Sequence, residues 1–373
     1  MRELELYIHI PFCVQKCRYC DFLSAPADDG AKRQYTDALI REITAVPEGQ
    51  DSIVTTVFFG GGTPSVLPGE WTAEIMETLK KKFTFAPDAE ISTEANPGTV
   101  DREKLRLWRE SGINRVSFGC QSSSNEELRM LGRIHTWKDF LESFDLARES
   151  GFDNINVDLM SGLPGQSLAM WETTLRRTVR LKPEHISAYS LIVEEGTPFA
   201  SMQLDLPDEA TERRMYARTG ELLGEHGYRR YEISNYALPG RECRHNIGYW
   251  IRTDYLGLGL GASSLTGSTR FSNVPDMEMY LKNSGMPERL RREVQVLSKK
   301  DEMEETMFLG LRLMGGVDKH RLQENFHTTV RQVYAPVLDR FQKLGLLEET
   351  EDAVFLTEEG ISVSNAVMAE FLL

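Results

Sequence analysis

The sequence predicts an α/β protein: a partial (β/α)6 barrel followed by a small C-terminal α+β domain of winged-helix type. Three observations predict it. Short β-branched or aromatic runs alternate with longer amphipathic stretches up to about residue 191. Polar and glycine-rich groups recur where those short runs end. From about residue 298 the pattern becomes helices followed by a small hairpin.

Taken in order, the strand-like runs are residues 4–10, 52–59, 89–94, 115–118, 154–159 and 185–189. Between them lie helical stretches at 31–46, 70–83, 101–111, 125–131 with 137–150, and 168–181. Strand then helix, repeated every thirty to fifty residues or roughly so, predicts a parallel sheet with right-handed crossovers. Six units fall short of the eight that close a full barrel, so 1–191 is expected to form an open or partial one. Residues 192–297 are expected to complete it, with a helix over 208–226 and a strand over 228–236. In 298–373 the pattern predicts helices at 301–314, 320–326 and 335–344, stopped by Gly345, then a hairpin of 346–349 and 353–356 and a last helix over 357–371. Winged helices often bind DNA. Here the third helix offers only Arg331, Arg340 and Lys343, and the wing carries Glu348, Glu349, Glu351 and Asp352, which phosphate would repel. A packing or partner-docking domain is expected instead.

The 373 residues are 40% hydrophobic and 27% charged, an ordinary globular balance. No run approaches the roughly 18 apolar residues of a membrane span, and Met1-Arg2-Glu3-Leu4-Glu5 has no apolar leader, so the expected location is cytoplasmic. Five unevenly spaced cysteines agree, because a secreted disulfide framework would be paired. A net charge of −14 argues against nucleic acid as a partner.

Cys13, Cys17 and Cys20 are spaced Cys-x3-Cys-x2-Cys directly after the first strand, which Pro11 ends. Thiolates bind soft centres, and a structural zinc site usually closes with four donors in two separated pairs. There is no second pair here, since Cys120 and Cys243 are isolated. A [4Fe–4S] cluster usually takes four thiolates, so three would leave one iron open to a small molecule. A redox disulfide, or zinc completed by His9, remains possible on spacing alone.

The other strand ends carry polar and glycine-rich groups too. Gly60-Gly61-Gly62-Thr63-Pro64-Ser65 follows the second, Glu94 closes the third, Gln121-Ser122 the fourth, Asp158 the fifth, and Tyr189-Ser190 the sixth. Barrels of this kind build their active site at the C-terminal strand ends, so one mouth could collect all six. The glycines let a ligand approach the backbone closely. Further on, Arg241-Glu242-Cys243-Arg244-His245-Asn246-Ile247-Gly248-Tyr249-Trp250 sets a histidine among aromatics beside arginine. Tyr255 to Ser264 repeats Gly-x-Gly-x-Gly, which does not match a dinucleotide fingerprint and reads as backbone packed close to the barrel mouth.

Cys-x3-Cys-x2-Cys at the end of a first strand resembles the radical S-adenosylmethionine (SAM) signature. Tyr-Ile-His-Ile-Pro-Phe-Cys, Gly-Gly-Gly-Thr-Pro-Ser, Glu-Ala-Asn-Pro, Ser-Phe-Gly-Cys-Gln-Ser, Leu-Gly-Arg-Ile-His, Asn-Val-Asp-Leu-Met-Ser-Gly-Leu-Pro-Gly-Gln and Cys-Arg-His-Asn-x-x-Tyr-Trp together resemble, nearly end to end, the oxygen-independent coproporphyrinogen III oxidase family, and within it the haem chaperone branch. The resemblance implies a [4Fe–4S] cluster on Cys13, Cys17 and Cys20. It places Tyr7 near the substrate or the methionine end of SAM, Tyr19 on the adenine side, and Gly62, Thr63 and Pro64 on SAM through backbone atoms. Glu94 would accept from the SAM amino or ribose groups, with Gln121, Arg133 and Asp158 completing the contacts. Taken singly, Glu94 could cap the helix near Asp101, Arg133 could form a surface ion pair, and Asp158 could shape a strand-end turn.

Two departures separate the chain from the decarboxylating oxidases. Phe22 stands where they carry a fourth cysteine, and Tyr7 follows only six residues, where they have a long N-terminal extension. Cys120, where an aliphatic residue is expected, reads as a buried small hydrophobe. His245 is the candidate haem contact, its imidazole suited to iron and Arg244 to a propionate. Cys243 is a second iron or covalent candidate, and His245 with Asn246 could instead only hold a neighbouring loop. The implied function is a haem chaperone that binds haem as cargo and delivers it to haem-requiring acceptor proteins, membrane-associated ones included, with homodimerisation as a further expectation. The alternatives are a radical SAM oxidase acting on coproporphyrinogen III or a related tetrapyrrole, and a zinc- or cluster-stabilised interaction protein without catalysis.

Overall fold

The computed structural model describes residues 2–49 and 51–373. Six strands run where the alternation predicts them: β1 (Arg2–Ile10), β2 (Ser52–Gly61), β3 (Thr84–Ala95), β4 (Arg115–Gln121), β5 (Ile155–Ser161) and β6 (His185–Ser190). They are hydrogen-bonded in the order 1-2-3-4-5-6, every pair parallel. Between them lie α1 (Asp29–Ala45), α2 (Gly69–Lys82), α3 (Arg102–Ser111), α4 (Asn125–Met130), α5 (Trp137–Glu149) and α6 (Leu168–Val179). Side-chain oxygens that accept a first-turn N–H start most of them: Asp28 for α1, Asp101 for α3, Thr136 in a capping box for α5, and Ser167 for α6.

The strands alternate with period two. One face carries Leu4, Leu6, Ile8 and Ile10, Val57 and Phe59, Val116 and Phe118, and Val157 and Leu159, all buried in one core with Ala38, Leu39, Ile43, Ile75 and Leu79 of the helices. Cys120 belongs to that face and is fully buried, as a small hydrophobe. The opposite face carries polar groups, described below.

The rest of the chain extends the sheet at both edges, so twelve strands lie in one open sheet. After α7 (Glu209–Glu225), β7 (Arg229–Arg230) and β8 (Asn235–Ala237) pair antiparallel beyond β6. A single strand over 228–236 is not formed: the buried Glu232 carboxylate accepts from Ser234 N at 2.8 Å and Asn235 Nδ2 at 2.7 Å, and turns the chain between the two. After α8 (Arg244–Trp250), β9 (Tyr255–Leu258) pairs parallel to β1, and β10 (Ser263–Thr266), β11 (Thr269–Asn273) and β12 (Arg291–Val296) continue antiparallel. Two short helices, α9 (Met277–Asn283) and α10 (Pro287–Leu290), precede β12.

The glycines after β9 do pack against the mouth. A Cβ on Gly259, at φ +107°, would lie 2.5 Å from Tyr35 Oη and 2.7 Å from His9 O, and one on Gly261 would lie 2.5 Å from Leu23 beside the cysteines.

The C-terminal part has its own core, centred on Tyr334, Leu338, Phe341, Val354 and Phe371. It contains α11 (Lys299–Gly310), β13 (Val317–Asp318), α12 (Lys319–Phe326), α13 (Val330–Lys343), β14 (Leu347–Glu349) and β15 (Ala353–Leu356), the strands forming one antiparallel sheet in the order 13-15-14. The third helix begins five residues before the expected 335, at a Thr329 and Gln332 capping box, and keeps Pro336 inside. The last expected helix is instead α14 (Glu358–Ser362), α15 (Ser364–Met368) and a 3-10 turn, because Val363 leaves helical geometry at φ −125° and ψ 26°.

Candidate functional site at the barrel mouth

The cysteine loop is tied down by main-chain bonds. Cys13 N donates to Ala25 O at 3.2 Å, Arg18 N to Leu131 O at 3.0 Å and Phe199 N to Arg18 O at 3.0 Å. The glycine loop fits against it, since a Cβ on Gly62 would lie 2.5 Å from Phe12 O. Cys13 is buried, Cys17 and Cys20 are half-buried, and all three are free thiols. Burial raises the Cys13 and Cys20 thiols, against bonds from Ser24 and the Phe22 backbone. Metal binding would therefore have to displace their protons.

Among the described residues no three His, Cys, Asp or Glu side chains gather as ligands of one ion, and three free thiols on one loop are the donor set of a cluster with one open iron. His9 is not free to complete a zinc site: Nε2 lies 3.0 Å from the Leu23 carbonyl and therefore carries the hydrogen, so Nδ1 accepts from Tyr7 Oη at 3.1 Å. No disulfide joins the three cysteines. The Arg133 guanidinium donates to Cys17 Sγ at 3.6 Å and to Asn96 Oδ1 at 2.7 Å, and also to Gly119 O. It is an inner cation beside the Cys17 sulfur, not a surface ion pair.

The mouth collects the strand-end residues. Glu94 stands one residue before the end of β3, half-buried, and its carboxyl is pushed up to about 8 by burial and by the Asp158 carboxylate, with a bond from Gly61 N opposing. It is not a helix cap, since Asp101 caps α3 itself. Asp158 accepts from Asn156 Nδ2 at 2.7 Å, Tyr189 Oη at 2.8 Å and Ser117 Oγ at 3.1 Å. Gln121 sits at a bulge in β4 with φ +67°, and its buried Oε1 has no partner among the described residues. A buried acceptor left open at a mouth is what an absent ligand's donor would fill. Thr63 accepts from Asn96 Nδ2 at 2.9 Å, and Pro64 opens a 3-10 turn, so both serve the loop through their side chains. Tyr19 packs on a small apolar cluster of Leu131, Met160, Leu163 and Phe199. Tyr7 faces the same interior, with Glu94 among the charges that act on it. These residues fit a cluster and a SAM-like ligand.

His245 lies elsewhere. It is 1% exposed in α8, stacked on Phe58 at 5.2 Å between ring centres, with Nδ1 2.6 Å from Thr56 Oγ1 and Nε2 3.1 Å from Tyr249 Oη. Burial and Arg115 push it down to about 3. Glu5, 3.7 Å away, is pushed up to about 9 by burial and Glu90, so the pair is uncharged at neutral pH. Glu90 caps α8, taking Arg244 N at 3.0 Å, His245 N at 3.3 Å and Cys243 Sγ at 3.5 Å. Helix α8 thus plugs the inner face at mid-strand, and the structure does not bring His245 or Cys243 to the mouth. The Arg244 guanidinium pairs with Asp88 at 3.1 Å instead of facing a ligand.

Sequence reasoning passed over the inner polar layer. Glu5, Thr56, Ser92, Ser117, Asn156, His185 and Ser187 share the inward face with Tyr7, Glu94, Asp158 and Tyr189. The signal was present as polar residues at every second position, Asn156-x-Asp158 and His185-x-Ser187-x-Tyr189, in strands otherwise apolar.

A model of the radical SAM superfamily matches residues 7–178, and one of the HemN C-terminal domain matches 297–363. Curated relatives include the haem chaperone HemW of Bacillus subtilis, 39% identical over 98% of both chains, and that of Escherichia coli, 36% identical over 99% of this chain and 98% of the relative. Among solved structures, coproporphyrinogen III oxidase (HemN) of Escherichia coli, whose report calls it a radical SAM enzyme, superposes with a TM-score of 0.88 at 26% identity, over 100% of this chain and 90% of that one.

Proposed function

The chain belongs to the family of the haem chaperone HemW within the radical SAM superfamily, and from that premise we propose that it binds haem and delivers it to haem-requiring proteins. A [4Fe–4S] cluster and SAM are its resident cofactors, and haem is its cargo. Cys13, Cys17 and Cys20 hold the cluster. When bound, the cluster supplies an electron and SAM the sulfonium bond that electron can break. The chain's own groups bind and orient: Gln121 Oε1 receives a donor, Glu94 and Asp158 take amino or ribose hydroxyl groups, Arg133 holds Cys17 and faces carboxylate charge, and Tyr19 lies along the adenine. Tyr7 orders the methionine or substrate end through His9. The backbone of Gly62, Thr63 and Pro64 lines the site.

The observation that carries the chaperone reading over decarboxylation is Phe22. It stands 60% exposed in the cysteine loop where the oxidases have a further thiol. We assign residues 1–191 to the cofactor barrel, 192–297 to its completion and 298–373 to partner docking. The acceptors include membrane-associated proteins, and a homodimer is the working assembly. No helix among the described residues is long and apolar enough to cross a membrane, and five free thiols suit the reducing cytoplasm. His245, buried with both ring nitrogens bonded within the protein, packs the interior and does not contact haem.

The test uses anaerobically reconstituted protein supplied separately with haem and with coproporphyrinogen III, SAM and a reductant. Stable haem binding by spectral titration, without decarboxylated product, is expected. Decarboxylation on a catalytic timescale would overturn the reading in favour of a tetrapyrrole oxidase.

A further inference from the structure

A directed hydrogen-bond chain runs through the barrel interior from the start of α8 to Asp158 at the mouth. Asn156 is 2% exposed on β5, and its amide reaches four partners. One end lies 2.7 Å from Asp158 Oδ1 and 2.7 Å from Ser117 Oγ; the other lies 2.6 Å from His185 Nδ1 and 3.2 Å from Ser187 Oγ. A carboxylate accepts and does not donate, so the NH2 group must face Asp158 and the oxygen must face His185. His185 is fully buried, and burial with the Arg115 charge lowers its pKa, so the ring is neutral. Its single hydrogen must then sit on Nδ1, which leaves Nε2 as an acceptor. Tyr231 Oη, 2.8 Å away, must donate to that Nε2 and can in turn accept from Cys243 N at 3.4 Å. Every donor in the series points from the floor towards the mouth.

We propose that His185 and Tyr231 are positioning residues: they lock the Asn156 amide in the orientation that presents N–H to Asp158, and so hold the Asp158 carboxylate ready for a hydroxyl-bearing ligand. If the amide turned over, its oxygen would face the carboxylate at 2.7 Å and repel it. Without His185 the amide oxygen keeps only the longer Ser187 bond to hold it. The Cys-Arg-His-Asn segment, which leaves His245 without a ligand to touch, thereby acquires a role as the anchor of this chain. The inference rests on the reading of Asp158 as a SAM contact.

The test is SAM affinity by equilibrium dialysis on cluster-reconstituted protein, with iron content checked for each variant, together with the tautomer of His185 from 15N shifts of histidine-labelled protein. His185→Leu is expected to weaken SAM about tenfold, the scale of one lost buried hydrogen bond. His185→Asn, whose side-chain NH2 occupies the place of Nδ1–H, is expected to restore affinity to within about twofold, which a merely space-filling role would not predict. Wild-type His185 should show the Nδ1–H tautomer. An Nε2–H tautomer, unchanged affinity in folded His185→Leu, or equal losses in the Leu and Asn variants would each overturn the proposal. Asp158→Asn separates the two failures. If it binds SAM like wild type, the Asp158 reading falls and the positioning role with it; if it loses affinity while His185→Leu does not, the positioning role alone falls.

Discussion

At the scale of single residues, burial decides most of what the interior groups can do. Glu94 ionises near 4.5 in an unfolded chain and about 8 here. Its protonated form is the one the fold prefers, so its contribution to stability is present below 4.5 and is lost as pH rises through 8. A cationic ligand prefers the opposite form. SAM affinity is therefore expected to rise between about pH 7 and 9, and Glu94→Gln to flatten that dependence, as dialysis across the range would show. His245 has the reverse sense: pushed down from 6.5 to about 3, it costs stability as pH falls through that window, because only the unfolded chain takes up the proton. Its buried ring, stacked and bonded on both nitrogens, predicts that His245→Ala loses about 2–4 kcal/mol in denaturant unfolding while haem affinity holds. A large drop in haem affinity with unchanged stability would return His245 to the ligand set. Cys17→Ala is expected to abolish cluster iron and the associated absorbance, since only two loop thiolates remain, while Arg133 keeps its bonds to Asn96 and Gly119.

At the scale of elements, the loops after the strands are shaped by contacts with one another. Gly62 touches the backbone of the cysteine loop, so Gly62→Ala should push that loop away and lower iron incorporation, with circular dichroism nearly unchanged. Normal iron content would show that the loop yields without cost. The six barrel strands and their helices were legible because apolar alternation and Asp, Ser and Thr caps act locally. The short strands β7 and β8 were not, because a buried Glu232 carboxylate, reaching across a turn, splits a segment whose spaced tyrosines and Ile233 read as one strand. The same holds for the broken last helix, whose Gly360 packs directly on Leu346.

At the scale of the whole molecule, the C-terminal part is anchored to the barrel edge through Glu232. Met314 N donates to Tyr231 O at 3.0 Å, Arg312 lies 3.8 Å from Glu232 and over the Trp250 ring at 4.3 Å, and Arg230 pairs with Glu358. Glu232→Ala leaves Ser234 N and the Arg312 charge without their acceptor, and is expected to destabilise this junction by about 2–3 kcal/mol. Hydrogen exchange should show faster opening of residues 311–316 while β1 to β5 stay protected. Uniform exchange across the chain would mean that the two cores open together.

By itself the sequence determined the order of strands and helices, the cysteine loop, and the set of acidic, amide and basic groups that end the strands. These depend on near neighbours and on spacing along the chain, where period and capping carry the information. Only the tertiary structure decided which polar residues share the barrel interior, that Arg133 turns inward to Cys17, and that His245 plugs the barrel with both nitrogens engaged. A histidine between aromatics reads the same in sequence whether its ring meets a ligand or its own protein. The difference lies in partners such as Thr56, 189 residues away along the chain, which only folding brings within 2.6 Å.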